Sequence, residues 1–83
     1  MKKLLGIIKP DGTVETSDGR KFELPIRGKD NLGFPEVLID ARNVGLSGSF
    51  KRQSVMPLIG KKCEFILSPN GKVGYNFVVI SEN

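Results

Sequence analysis

Two segments of alternating apolar residues lie near the end of the sequence and are joined by turn residues. Lys61 to Ser68 and Lys72 to Ile80 alternate with a period of two, which places every second side chain on one face of a β-strand. Pro69-Asn70-Gly71 separates them. Asn-Gly between strands is a strong hairpin signal, because both residues tolerate the positive φ angle of a type I′ turn. The sequence therefore predicts an antiparallel hairpin with Asn70-Gly71 at its tip.

The same alternation predicts which side chains of this hairpin face the core. The residues that share an apolar face are Cys63, Phe65 and Leu67 in the first strand and Val73, Tyr75, Phe77 and Val79 in the second. A chain with a single cysteine cannot form an internal disulfide, so we expect Cys63 to be reduced and buried.

Three more strands are predicted at the beginning of the chain, separated by turns that contain glycine. They cover Leu4 to Lys9, Thr13 to Thr16 and Arg20 to Ile26. In the third strand, Phe22, Leu24 and Ile26 recur at every second position and are predicted to share a buried face. Because Pro25 cannot donate a ladder hydrogen bond, this end of the strand is predicted to be an edge or a bulge.

The middle of the chain, Arg27 to Pro57, has no clear periodicity. Gly28 to Glu36 is rich in turn residues and is predicted to be a loop, whereas Glu36 to Ala41 fits a short strand or the first turn of a helix. From Ala41 to Met56 glycine and serine recur, and we expect at most one short helix or helical turn, around Ser49 to Val55.

Length and residue types restrict the chemistry that the chain can perform. A chain of 83 residues is predicted to form one domain, residues 1–83, which buries about 60% of its unfolded surface and has little interior left for a deep cleft. Without histidine and with one cysteine, it can form neither a Ser-His-Asp triad, nor a Cys-His pair, nor a zinc cluster. We therefore expect a protein that is not an enzyme and that uses no metal or other cofactor.

The sequence also suggests a cellular location. Two lysines before Leu4 to Ile8 imitate a signal peptide, but the apolar stretch is too short and Lys9-Pro10-Asp11 ends it. No run of eighteen apolar residues exists that would span a membrane. With the reduced cysteine, this predicts a cytoplasmic protein that does not associate with membranes.

Positive charge is concentrated in the second half of the chain. The net charge is +4, and residues 41–83 contain six Lys or Arg against two Asp or Glu. A basic surface attracts nucleic-acid phosphates by releasing counterions. The same charge also has a simpler explanation, since it keeps a small protein soluble.

Two parts of the sequence resemble known families. The stretch "GIIKPDGTVETSDGRKFELPI" resembles the opening of cold-shock domains, and "LIGKKCEFILSPNGKVGYNFVVI" resembles the hairpin that closes them. Preceded by "SGSFKRQSVMP", the second stretch is also similar to the end of bacterial translation initiation factor one. Both families have the OB-fold and bind nucleic acids. The resemblance implies an all-β fold, a small five-stranded OB-like barrel with a loop or short helical connection between strands three and four.

The chain departs from cold-shock domains where those domains stack bases. Thr13 to Thr16 contains no aromatic residue, the next strand contains only Phe22, and the two ribonucleoprotein signature motifs are missing. Stacking contributes about 1–3 kcal/mol per base, so the resemblance implies weak binding that depends mainly on charge. Phe22, Phe65 and Phe77 are predicted to lie in the core.

The leading functional hypothesis is binding of RNA or single-stranded DNA, with weak sequence preference, through a basic face. Phe50, Lys51 and Arg52 are predicted to lie together in a loop, where ring and cations could contact one nucleotide. The full set of candidate nucleic-acid-binding residues is Lys9, Arg20, Arg27, Arg42, Phe50, Lys51, Arg52, Lys72 and Tyr75.

The alternative hypothesis is a protein-interaction module of a mobile-element or multi-subunit assembly, which does not bind nucleic acid. Its partner would contact a sheet edge near Pro25 or the loop 27–35, which includes the apolar residues Leu32 and Phe34.

Overall fold

The computed structural model describes residues 3–40 and 50–80, which contain eight β-strands and one short 3₁₀ turn, Met56–Leu58. The strands are β1 (Lys3–Ile8), β2 (Thr13–Thr16), β3 (Lys21–Glu23), β4 (Ile26–Lys29), β5 (Pro35–Asp40), β6 (Phe50–Ser54), β7 (Lys62–Leu67) and β8 (Gly74–Val79). They form one sheet that curls into a nearly closed barrel. The predicted all-β fold and small β-barrel are confirmed, but the described part of the chain has eight strands instead of five.

The sheet nearly closes because β5 pairs with three other strands. Neighbouring strands follow the order β3-β2-β1-β7-β8-β5-β4, with β6 also paired to β5. One edge of β5 pairs with β6, which runs antiparallel to it. The other edge pairs first with β4, also antiparallel, and then with β8, which is parallel and pairs with β5 at Asp40 and Val78. Since β3 and β4 follow each other in the chain, the segment from Lys21 to Lys29 crosses from β2 on one side of the barrel to β5 on the other.

The prediction for the middle of the chain was largely wrong. Gly28 and Lys29, predicted as loop, belong to β4, and Pro35 and Glu36 begin β5. Where at most one short helix or helical turn was expected, around Ser49 to Val55, the described residues form β6. Of the two structures considered for the residues after Pro35, the strand is correct. The strand β6, Phe50–Ser54, was not recognisable in the sequence because most of it is exposed. Its residues therefore do not alternate between apolar and polar, as they would in a half-buried strand. The segment 41–49 lies outside the described residues.

Four turns have the same structure, with a glycine of positive φ at the last position. In the segments 9–12, 16–19, 30–33 and 68–71, the glycine N–H donates to the carbonyl three residues earlier at 2.9–3.1 Å, and the glycine φ angles lie between 76° and 89°. The predicted hairpin β7–β8 is confirmed. Its turn is not type I′, because Gly71 alone of the Asn-Gly pair has positive φ. Pro69, whose φ is preset near −65°, favours instead a turn that begins with ordinary negative angles.

Three phenylalanine rings in contact form the centre of the core. The Phe65 ring lies 5.1 Å from that of Phe22 and 5.0 Å from that of Phe77, measured between ring centroids. All three rings are buried, as the sequence predicted, and so is Cys63. The other buried apolar side chains are Ile8, Val14, Leu24, Val37, Ile39, Val55, Leu58 and Val79.

The predicted burial of Ile26 was wrong. β3 ends at Glu23, and the chain bends at Leu24-Pro25 before β4 begins, so the alternation that starts at Phe22 stops there. Leu24 is still buried, but 45% of Ile26 is exposed. The prediction that Pro25 marks an edge or a bulge is consistent with this break.

A β-bulge in β8 overturns the prediction that Tyr75 shares a face with Phe77. Glu64 pairs with Val78 and Ile66 with Tyr75, so β8 contains one residue more than the facing part of β7. The extra residue is Asn76, which has a φ of 58°. As a result Phe77 points into the core, whereas Tyr75 is 39% exposed on the outer face.

The glycine before Tyr75 is required by the same packing. A Cβ atom on Gly74 would lie 2.7 Å from Cδ2 of Phe65 and 2.9 Å from Cζ of Phe77, closer than carbon atoms can approach. Val73, predicted to face the core, precedes the strand and is 58% exposed.

The bulge predicts a specific order of stability at position 76. A β-branched residue is strained in the left-handed region, so Asn76→Val is expected to lower the free energy of unfolding by about 1–2 kcal/mol. Asn76→Gly, which removes that strain, should change it by less than about 0.5 kcal/mol. Urea unfolding of the two variants measures the difference, and equal stabilities would contradict the bulge.

Cys63 is expected to react slowly with thiol reagents while the protein is folded. Burial raises the pKa of its thiol to about 12, so almost no thiolate, the reactive form, exists at neutral pH. Labelling should accelerate strongly when urea unfolds the chain. Rapid labelling of the native protein would contradict both the burial and the register of β7.

Candidate functional site

The barrel has an open seam between the β3–β4 segment and the beginning of β8. Within the described residues, β8 pairs with β7 along one edge, while its other edge contacts β5 at Val78 alone. β3 pairs with β2. A groove of about 560 Å³ therefore remains between the two unpaired edges. We call it the seam groove, and its lining residues are Lys21, Phe22, Glu23, Leu24, Pro25, Ile26, Lys72, Val73 and Gly74.

The seam groove combines exposed apolar surface with positive charge. Ile26 and Val73, both about half exposed, contribute apolar side chains from its two chain segments. Each segment also contributes one lysine, Lys21 from β3 and Lys72 from the loop before β8. Glu23 is the carboxylate in the lining. Neither lysine forms an ion pair within residues 3–40 and 50–80, although the pKa of Asp11, lowered mainly by the Thr13 hydroxyl, is lowered further by the nearby Lys21. The two ammonium groups can attract an external anion to the groove.

Two predicted arginines lie beside the seam groove. The Arg20 guanidinium carbon is 5.6 Å from the centroid of the Phe22 ring, which lines the groove. Arg27 follows Ile26, and its guanidinium donates to the Ile26 carbonyl oxygen at 3.3 Å. The structure thus brings Arg20, Arg27 and Lys72 of the predicted site to one region of the surface.

The charge of Arg20 is largely compensated by its neighbour. Its Nε donates to Oδ2 of Asp18 at 3.0 Å. The pKa of Asp18 is lowered mainly by the hydrogen bond from the Thr16 hydroxyl, and further by the hydrogen bonds with Arg20. This carboxylate therefore stays ionised well below neutral pH. Arg20 therefore adds less to the attraction of anions than Lys21 or Lys72 does.

The predicted grouping of Phe50, Lys51 and Arg52 in one loop was wrong. All three lie in β6, where successive side chains point to opposite faces, so Lys51 is turned away from the other two. The Nε of Arg52 donates to Oε1 of Glu36 at 2.7 Å. These three residues cannot contact a single nucleotide as the sequence suggested.

Phe50 lines a second hollow, which is acidic. This hollow has a volume of about 270 Å³, and its charged lining residues are Asp40, Glu64 and Lys3. The Lys3 ammonium lies 3.6 Å from Oε1 of Glu64. With two carboxylates and one ammonium group, the surroundings of Phe50 disfavour phosphate.

The remaining candidates lie elsewhere. Lys9 lines a hollow of about 480 Å³ over β1 and β2, together with Lys62, and its ammonium lies 3.6 Å from Oε1 of Glu15. Tyr75 follows Gly74 of the seam groove and precedes Asn76, which lines the Phe50 hollow, so it lies between these two depressions. Arg42 lies outside the described residues.

Sequence reasoning missed Lys21 and Val73. Lys21 was interpreted as an ordinary outward position of a strand, and Val73 as a core residue. No local pattern shows that Lys21 and Lys72 line the same groove, because they are far apart in the chain and come together through the closure of the barrel. The predicted interruption of the strand at Pro25 came closest to indicating this groove.

The loop 27–35, proposed for a protein partner, is mostly ordered by strand pairing and hydrogen bonds. Arg27 to Lys29 belongs to β4. The Oδ1 atom of Asp30 accepts hydrogen bonds from the N–H groups of Leu32 and Phe34, at 2.9 and 2.8 Å. Phe34 packs against the core, whereas Leu32 is 75% exposed at the tip.

Other kinds of site find little support in the part of the chain that the structure describes. No three His, Cys, Asp or Glu side chains come close enough there to hold a metal ion. The described residues also contain no helix of the length and apolarity that crossing a membrane requires.

Comparison with protein-family models, with curated proteins and with solved structures gives no match to this chain. The resemblance to cold-shock domains and to initiation factor one therefore remains a prediction from short stretches of sequence. The function has to be argued from the site itself.

Proposed function

We propose that this protein binds RNA or single-stranded DNA along the seam groove, with weak sequence preference and without catalysis. The observation that carries the proposal is the pair Lys21 and Lys72, which line one open groove whose other exposed residues are mainly apolar. A cytoplasmic location, consistent with the buried free thiol of Cys63, is part of the same proposal.

The two lysines provide the affinity for the phosphate backbone. Binding of phosphates by lysines releases condensed counterions, a gain that does not depend on base sequence. Because the lysines come from two separate chain segments, they can contact different phosphates of a strand that lies in the groove between them.

The apolar lining favours a single strand over a duplex. In a single strand the faces of the bases are accessible and can pack on apolar side chains, here Ile26, Pro25 and Val73. In a duplex these faces are stacked on one another, so the apolar surface would remain exposed to water.

Weak sequence preference follows from the polar groups in the lining. Discrimination between bases requires side-chain donors and acceptors that match base edges, such as the amides of Asn and Gln. The polar side chains that line the seam groove are Lys21, Glu23 and Lys72. A lysine used for phosphate is not available for reading a base.

A double substitution tests the seam groove against general positive charge. Lys21→Gln with Lys72→Gln should weaken binding of a single-stranded oligonucleotide and reduce the slope of log affinity against log salt by about 1.4, since each phosphate contact contributes about 0.7. Fluorescence anisotropy of a labelled oligonucleotide at several salt concentrations measures both quantities.

The matched control is Lys51→Gln with Lys61→Gln, which removes the same charge outside the groove lining. Equal effects of the two pairs would show that net charge alone attracts nucleic acid. If the parent protein fails to bind at low salt, the proposal is wrong and the protein-interaction hypothesis takes its place, because the unpaired edges of β3 and β8 would also accept an extended peptide.

A further inference from the structure

Tyr75 is an exposed aromatic residue that follows Lys72, Val73 and Gly74 in the chain. It directly follows Gly74, the last residue of the seam groove lining, and its ring lies on the outer face of the sheet with 39% of the residue exposed. A strand of nucleic acid held by Lys72 would therefore have an aromatic side chain at the end of the groove.

The outward direction of Tyr75 is built into the strand. Phe77 occupies the inward position and stacks on Phe65 with an interplanar angle of 26°. The extra residue at Asn76 then places Tyr75 on the opposite face, and the missing side chain of Gly74 lets the phenylalanine pair pack beneath the backbone.

Local charge distinguishes Tyr75 from Phe50, the other strongly exposed aromatic residue of the described chain. The seam groove beside Tyr75 contains two lysines and one glutamate. The hollow that Phe50 lines contains two carboxylates and one lysine. A phosphate is therefore attracted more strongly beside Tyr75 than beside Phe50, and a nucleotide bound through its phosphate is expected to place its base on Tyr75.

We propose that Tyr75 is the stacking platform for one unpaired base, whose neighbouring phosphate is bound by Lys72. This inference rests on the proposed function and adds a base-dependent contribution to binding that otherwise depends on charge. Stacking of one base on an aromatic side chain corresponds to a change in affinity of at least about fivefold.

The sequence provides a direct reporter of this contact. Tyr75 is the single tyrosine and the chain has no tryptophan, so the intrinsic fluorescence of the protein comes from this residue. We expect an oligothymidylate of about ten nucleotides, a length within the range that small barrels bind, to quench this fluorescence. An abasic oligonucleotide of the same length carries the same phosphates without bases and should leave the signal almost unchanged.

Three variants separate stacking from other effects of the side chain. Tyr75→Ala should weaken binding of labelled oligothymidylate by at least about fivefold without changing the affinity for the abasic strand. Tyr75→Phe keeps the ring and should bind like the parent. Phe50→Ala removes an aromatic ring that is exposed to a similar degree, 44% against 39%, and should also bind like the parent.

The outcomes distinguish failure of this inference from failure of the proposed function. If oligothymidylate binds in anisotropy measurements but does not quench Tyr75, or if Tyr75→Ala and Phe50→Ala weaken binding equally, the stacking platform is wrong and the groove proposal stands. Equal quenching by the abasic strand also overturns it. If the parent protein binds neither strand at low salt, both proposals are wrong.

Discussion

The packing of the Phe65 ring between those of Phe22 and Phe77 is the contact on which the rest of this structure depends. These rings come from β7, β3 and β8, so their packing joins the hairpin of β2 and β3 to the last hairpin of the chain. The ring packing also requires glycine at position 74, since a side chain on Gly74 would collide with Phe65 and Phe77.

The packing of these rings also determines which side chains of β8 are exposed. Phe77 takes the inward position, and the bulge at Asn76 compensates by changing which face the preceding residue occupies. Without the extra residue, Tyr75 and Phe77 would compete for the same side of the sheet. The core thus decides which aromatic ring is left outside, and hence which ring a ligand can contact.

Incomplete closure of the barrel creates the candidate site. The chain bends at Leu24-Pro25 to pass from β2 to β5, and β8 contacts β5 in parallel at Val78 without reaching β3. The β3 edge is therefore left facing the beginning of β8, with Lys21 in β3 and Lys72 in the loop before β8. Two cations outside the groove are paired with carboxylates, Arg52 with Glu36 and Lys9 with Glu15. Lys21 and Lys72 form no such ion pair among the described residues, and what sets them apart from other unpaired lysines is that they line one groove.

Local sequence determined much of this protein. The hairpin of β7 and β8, the first two strands, the burial of Cys63 and the three core phenylalanines all follow from alternation and turn residues, which act over a few neighbouring positions. Tertiary structure alone decided the remainder. β6 is a strand because β5 offers it an edge, Tyr75 is exposed because Phe77 fills the core, and Lys21 meets Lys72 because the barrel brings distant segments together. The physical reason is that pairing partners, bulges and grooves depend on contacts between residues far apart in the chain, which periodicity in one segment does not encode.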